Sequence, residues 1–476
     1  MSARTAVDWP CLIGGQPAAC EQAREIVSPW DGEVVGRIAW ASPEQMRAAV
    51  DAAHDAMHTP LTPLARQRIL LRAAELVEQQ GDELARVLAD EGGKPLRSGR
   101  IEVARAASTL AIAAGEATRI GGEQIPLSGS TPGHGPLALT IRKPIGVVGA
   151  ITPFNFPLNL VAHKLGPAIA AGCAVVLKPA DKAPGVAIRL AELLAEAGLP
   201  DGWLSVVVGD PVAFADVLRE DPRVRLISFT GSAPIGWSLA AGTRGKRVAL
   251  ELGNVTPAIV AADADVAAAA GALAAGAFAG AGQACISVQR VYVHRTVHDA
   301  FLDALLARVR ALRLGDPHAE ETEIGPLITP QATSRLLAWI GAARAAGARV
   351  AAGGGVQGSV MEPTVLLDVP ADADVACREA FGPVVCVWPY DELDDAIAAA
   401  NASEQGLQAG LFTSDVGTIM HAAAALDFAG VVVNDSPSWR ADEMPYGGIK
   451  DSGNTREGPA RAVREMTEEC LLVLNP

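Results

Sequence analysis

The sequence predicts an α/β protein of two doubly wound domains with a small β extension. Three observations carry this. From residue 145 onward, short apolar runs alternate with helical patterns, as in parallel βαβ units. At 476 residues the chain exceeds one ordinary hydrophobic core, so two or three domains are expected. Two extended segments, 137–142 and 467–474, fit neither series of strands.

Taken in order, residues 67–89 and 101–120 show amphipathic helical spacing, interrupted by Gly92-Gly93-Lys94-Pro95. Residues 145–151 form a strand-like run closed by Thr152-Pro153, after which Phe156-Pro157 is expected to open a helix. A second buried strand at 174–177 precedes a helix over 185–197 that Gly198 ends. Strands at 204–208, 224–229 and 248–250 complete the first series. After Gly253 a second begins: a strand at 258–262, an alanine-rich helix at 266–282, a strand at 288–294 and a helix at 297–313. Strands at 384–388, 411–412 and 431–433 close it. The expected division is 1–122 with 144–250 as one domain and 251–440 as the other. Residues 123–143 and 455–476 are left as a bridging segment. Open strand edges invite pairing, so these extended pieces are expected to pair with each other and with a second subunit, as a homodimer or homotetramer.

Half the residues are hydrophobic and 20% are charged, a globular composition and not a disordered one. A net charge of −15 argues against nucleic acid or an anionic membrane as partner and leaves small molecules. The seven cysteines include no CxxC pair and no histidine cluster accompanies them. Neither a disulfide framework nor a metal site is expected, and a reducing cytoplasm is the expected setting. No basic segment followed by an apolar run marks a signal peptide near the N-terminus.

The chemistry concentrates around Cys285, in Gly280-Ala281-Gly282-Gln283-Ala284-Cys285-Ile286-Ser287, downstream of the carboxylate in Leu250-Glu251-Leu252-Gly253. A thiolate attacks carbonyl carbon, and a nearby glutamate can activate water. Small flanking residues let reactants approach closely. A cysteine alone is as readily a buried apolar residue, so its companions decide. They are Thr152-Pro153-Phe154-Asn155-Phe156-Pro157, Leu177-Lys178-Pro179-Ala180-Asp181, Phe229-Thr230-Gly231-Ser232 and Glu379-Ala380-Phe381-Gly382-Pro383.

In this order and spacing the segments resemble the aldehyde dehydrogenase superfamily, from near Trp30 to Glu469. Residues 147–167 and the run from Cys285 to Arg290 are most similar to its lactaldehyde dehydrogenase-like branch, which has relatives acting on sulfo- and phosphono-aldehydes. The resemblance implies a Rossmann-like cofactor domain, a catalytic domain and NAD(P)-dependent oxidation of a small aliphatic aldehyde to its acid. It implies Cys285 as nucleophile, forming a thiohemiacetal and then a thioester. The Asn155 amide and the Cys285 N–H are implied as oxyanion donors, and Glu251 as activator of the hydrolytic water.

For the cofactor, the resemblance implies that Lys178 holds the adenine ribose. An acid at Asp181 favours NAD, while Ala180 leaves space that the extra phosphate of NADP could use. Thr230, Gly231 and Ser232, with Gly236, are expected to open a helix toward the pyrophosphate; no GxGxxG run is present. Glu379 and Phe381 are placed against the nicotinamide ribose and ring. Thr152, Pro153, Phe154, Gly209, Ile235, Leu252 and Gly253 complete the cofactor surface.

The implied substrate tunnel is lined by Phe156, His163, Ala284, Ile286, Trp439, Arg440 and Tyr446. Arg440, with Arg105, offers a cation for a carboxylate, sulfonate or phosphonate. Equally, each arginine can be a surface charge paired with an acid, and His163 a satisfied core histidine. A short polar aldehyde such as lactaldehyde is the first expectation and an anionic aldehyde the second. Two other readings stay open: transfer of the thioester to CoA, and a silent scaffold that binds nucleotide without turnover. The chain departs from the superfamily at Asn254, where a second glycine commonly follows Glu-Leu. Asn tolerates positive φ best among non-glycine residues, so two outcomes are open: the turn survives, or the change displaces Glu251, slowing deacylation or narrowing the nicotinamide pocket.

Overall fold

The computed structural model describes residues 6–475, so the outermost ends of the expected domain boundaries, 1–5 and 476, lie outside the described residues. Two seven-stranded sheets organise the chain. The first runs Arg247–Glu251, Val224–Thr230, Val147–Ile151, Val175–Lys178, Leu204–Val206, Cys11–Ile13, Gln16–Ala18. Its first five strands are mutually parallel, and the N-terminal pair adds antiparallel at the edge. Its central strands, Val147–Ile151 and residues 175–177 of Val175–Lys178, read as buried apolar runs because helices cover both faces. Strand order reverses between Val147–Ile151 and Val224–Thr230. Beyond the carboxyl ends of such neighbours an open α/β sheet leaves a crevice for ligands. Thr152 and Thr230 sit at that crevice.

The second sheet runs Arg349–Ala352, Thr364–Leu367, Val384–Tyr390, Val288–His294, Thr256–Val260, Gln408–Phe412, Gly430–Val433. All its neighbours are parallel except the first pair. In its register Thr256 faces Val288. The segments leading into those two adjacent strands carry Glu251 and Cys285, so strand pairing itself draws the carboxylate and the thiol together.

The extended outliers do pair with each other. Thr467–Leu474 runs antiparallel to Leu137–Pro144 over its whole length, from Thr467 opposite Pro144 to Leu474 opposite Leu137. Its other edge has no strand neighbour among the described residues, and Leu471 to Leu474 are exposed along it.

Three expectations need correction. The stretch 67–89 is two helices, Pro63–Gln79 and Gly81–Gly92, because Gln80 leaves helical geometry (φ −101°, ψ 19°) just before a glycine. Pro157 does not open a helix; the helix is Asn159–Ala171, two residues later. The alanine-rich helix ends at Phe278. Gly280, Ala281 and Gly282 then take left-handed backbone (φ 57°, 55° and 69°), a turn that delivers the chain to Cys285. Asn254 is not among the described residues with left-handed backbone. Its side chain is instead a buried staple: Nδ2 donates to Thr256 Oγ1 (2.8 Å) and the Gln408 carbonyl (3.0 Å), and Oδ1 accepts from Leu407 N–H (3.3 Å).

Candidate active site

A cavity of about 430 Å³ opens where the two sheets meet, and Asn155, Glu251 and Cys285 all line it. Asn155 stands on the turn after Val147–Ile151, and Glu251 ends Arg247–Glu251. Both strands pair with Val224–Thr230, where Phe229 faces Ile151 and Thr230 faces Glu251. The amide and carboxylate therefore leave the same sheet edge, one strand apart.

The Cys285 sulfur lies 2.7 Å from the Tyr446 hydroxyl. Burial, then the Glu251 charge, pushes this thiol up to about 12, so it is protonated at neutral pH. Glu251 is 2% exposed and its Oε1 has no hydrogen-bond partner. Burial first, and then neighbouring Glu457, holds its carboxyl well above the usual carboxylate range, against the pull of Arg440 and Lys164. Asn155 Oδ1 is likewise buried without a partner. Native proteins seldom leave such atoms unpaired, and unpaired atoms converging on a cavity point to a ligand.

Phe156, Ala284, Ile286, Arg440 and Tyr446 line the same cavity. The Arg440 guanidinium lies 3.7 Å over the Tyr446 ring and its Nε has no partner. His163 does not line the cavity. It is fully buried behind Arg440, 3.1 Å from Asp442 and 3.3 Å from the Arg440 guanidinium, and burial followed by the Arg440 charge lowers its pKa. Trp439 does not line the cavity either; its side chain is half exposed to solvent. Arg105 reaches the cavity but is tied to Asp442 at 2.7 Å.

Among the cofactor candidates, Pro153, Phe154, Thr230, Gly231, Ser232, Leu252, Gly253, Glu379 and Phe381 line this cavity. Phe381, itself left-handed (φ 49°), packs edge-on against Phe154 with ring centres 5.8 Å apart. Glu379 accepts the Asn254 N–H at 3.2 Å, and burial pushes its carboxyl up to about 7. Thr152, Lys178, Ala180, Asp181 and Gly209 lie outside it, along the carboxyl edge of the first sheet. Ile235 stands out from Ala233–Ala241, largely exposed. Burial lowers the Lys178 ammonium, opposed by Asp181 and by Asp210.

A dinucleotide fits this surface. Thr152 Oγ1 and Thr230 Oγ1 are buried without partners at the strand-order reversal. The helix Ala233–Ala241 begins without a side-chain cap on its N–H groups, which suits an anion.

Sequence reasoning missed several residues. Lys164 and Glu457 form a buried ion pair (3.3 Å) beside Glu251, with Lys164 also donating to Ser228 Oγ. Lys94 and Glu102 line the main cavity. Lys94 stood in a segment read as helix punctuation, Glu102 in one read as an amphipathic helix and Lys164 in one noted for its resemblance, none of them for its side chain. Among the described residues, no group of three or more His, Cys, Asp or Glu side chains could hold a metal ion.

A crevice suited to a dinucleotide, opening onto a cavity with a thiol, defines a nucleotide-dependent oxidoreductase of carbonyl groups. The aldehyde dehydrogenase family profile matches residues 17–470, and the chain belongs to that family. It is 43% identical to the 3-sulfolactaldehyde dehydrogenase of Priestia megaterium over 463 residues, 97% of each chain. An Escherichia coli NADP-dependent enzyme superposes with a TM-score of 0.95 at 36% identity, covering 99% of this chain and 98% of that one. An NAD-dependent aldehyde dehydrogenase from Sinorhizobium meliloti does so with 0.95 at 35% identity, covering 98% and 95%. The protein is an NAD(P)-dependent aldehyde oxidoreductase. No helix among the described residues is long and apolar enough to cross a membrane.

Proposed function

We propose that the protein oxidises a short aliphatic aldehyde, carrying a hydroxyl or acidic group, to its carboxylic acid by way of a cysteine thioester. The observation that carries this reading is the convergence of Cys285, Asn155 and Glu251 on one cavity. Cys285 gives up its thiol proton to solvent and its sulfur adds to the aldehyde carbon, opening the C=O π bond to a thiohemiacetal oxyanion, which becomes the thioester when its carbon loses hydride. The Asn155 amide and the Cys285 N–H take the oxyanion, an interaction typically worth ~10²–10³ in rate per donor. NAD(P), when bound, supplies the hydride acceptor. Glu251 then takes a proton from the water that hydrolyses the thioester. Burial and the Glu457 charge raise its carboxyl above the usual carboxylate range, which makes it the stronger base once ionised.

Thr152, Thr230, Gly231 and Ser232 would hold the pyrophosphate side of the dinucleotide, Lys178 and Asp181 its adenine ribose, and Glu379 with Phe381 its nicotinamide ribose and ring. Asp181 favours NAD, because a carboxylate repels the extra phosphate of NADP. Arg440 is the cation for the substrate's polar end. Its unpaired Nε in the cavity wall supports that role, as does the sulfonate carried by the substrate that names the Priestia relative.

Residues 1–122 with 144–250, which carry the first sheet, are then the cofactor domain, 251–440 the catalytic domain, and 123–143 with 455–476 the bridge. The open apolar edge of Thr467–Leu474 supports assembly with a second copy through strand addition. All seven cysteines are free, which suits a reducing cytoplasm.

The test is NADH or NADPH formation from purified protein with a panel of neutral and anionic short aldehydes, with and without CoA. Turnover without CoA, greatest for lactaldehyde or a sulfonated or carboxylated analogue, is expected. Turnover that requires CoA would move the protein to thioester transfer. A pH dependence follows as well. The Glu379 carboxyl, at about 7, is neutral below that pH and becomes a charged acceptor for ribose hydroxyls above it. KM for the cofactor is therefore expected to fall as pH rises between about 6 and 8. Glu379→Gln should flatten that trend, which steady-state kinetics across the range will read.

A further inference from the structure

The turn bearing Asn155 is gripped from both ends by one buried ion pair. Lys94 and Glu102 face each other with side chains 10% and 1% exposed. The Lys94 ammonium donates to the Asn155 carbonyl oxygen at 2.6 Å and lies 4.1 Å over the Phe156 ring. A Glu102 oxygen accepts the N–H groups of Leu158 and Asn159, at 2.9 and 3.2 Å, where the helix Asn159–Ala171 begins. Lys94 is itself aimed by its predecessor: Gly93 is left-handed (φ 64°), and a Cβ there would strike Pro326 and Pro29 at 2.6 and 2.8 Å.

The Asn155 side chain contributes little to its own orientation, since Oδ1 has no partner. Its aim into the cavity must come from the backbone. We propose that Lys94 and Glu102 are positioning residues, a clamp that fixes the Asn155 turn so that its amide points at the reacting carbonyl oxygen. This rests on the oxyanion role given to Asn155 above. The clamp combines a charge-assisted bond to the carbonyl on one side with a carboxylate at a helix N-terminus on the other. Opening either end leaves the other member of the pair buried without its counter-ion.

The experiment is a double-mutant cycle. Lys94→Met is expected to lower kcat by about 10²-fold, the scale of a 1 Å misplacement, with KM for aldehyde and cofactor little changed. The combination with Asn155→Ala should be no worse than Asn155→Ala alone, because one function is lost once. Three results overturn the clamp: an unchanged kcat in Lys94→Met, losses that multiply in the double variant, or a raised KM for anionic aldehydes alone. The last would make Lys94 a substrate ligand. If Lys94→Met does not fold, Glu102→Ala takes its place in the same cycle.

Failure of the oxyanion reading appears separately, as full activity in Asn155→Ala. Failure of the enzymatic reading appears as wild-type protein without turnover. In either event amide hydrogen exchange at Leu158 and Asn159 still reads the grip. Faster exchange in Glu102→Ala than in wild type supports it, and equal exchange overturns it.

Discussion

Cys285→Ala is expected to abolish aldehyde oxidation, with a loss on the order of 10⁴-fold or more, the scale seen when a covalent nucleophile is removed. No other cysteine can take over, since none of the remaining six lines the cavity. The fold should survive, because the sulfur contributes one contact to Tyr446 and little packing. Cofactor binding, followed by quenching of intrinsic fluorescence on titration with NAD, should therefore be close to wild type. Retained binding separates lost chemistry from a lost fold. The wild-type thiol also carries a pH signature. With its pKa at about 12, the thiolate fraction rises tenfold for each pH unit across the neutral range. Alkylation of Cys285 in the cofactor-free protein should follow that slope. Turnover in the alanine variant would remove the thioester from the mechanism altogether.

Sheet strands and the reactive loop were legible in the sequence because each carries a local signal. Val147–Ile151 and residues 175–177 are apolar runs, and glycines precede Cys285. The split at Gln80 was hidden because both helices keep their apolar spacing in phase across it. His163 stayed open between tunnel and core for a related reason. A histidine on an apolar helix gives no sign of facing cavity or core, and only the packing of Asp442 and Arg440 against it decides. The long-range ion pairs left no trace at all: Lys164 finds Glu457 almost three hundred positions away, through tertiary folding alone. Asn254 is the most instructive case. The sequence argument considered its backbone, whereas the structure uses its side chain to tie Gln408 and Thr256, and through Thr256 Oγ1 the Cys285 carbonyl at 3.4 Å.

Glu251→Gln should divide the reaction at its midpoint. Glutamine keeps the shape and removes the base, so thiohemiacetal formation and hydride loss proceed while hydrolysis stalls. Rapid mixing is expected to show a burst of about one NADH per active site, followed by a steady rate lower by about 10²–10⁴-fold, the usual contribution of a positioned base. Mass spectrometry of the quenched protein should find the acyl group on Cys285. In wild type, burial and the Glu457 charge keep the carboxyl protonated well above the ordinary glutamate range, so deacylation must accelerate as pH rises and the base becomes available. The variant loses that acceleration while its burst amplitude persists. A strong external nucleophile such as hydroxylamine, which needs no base, should restore turnover by cleaving the trapped thioester. An absent burst would place Glu251 before hydride loss. An undiminished steady rate would pass the base role to Glu457, whose carboxylate the Lys164 and Arg440 charges hold ionised.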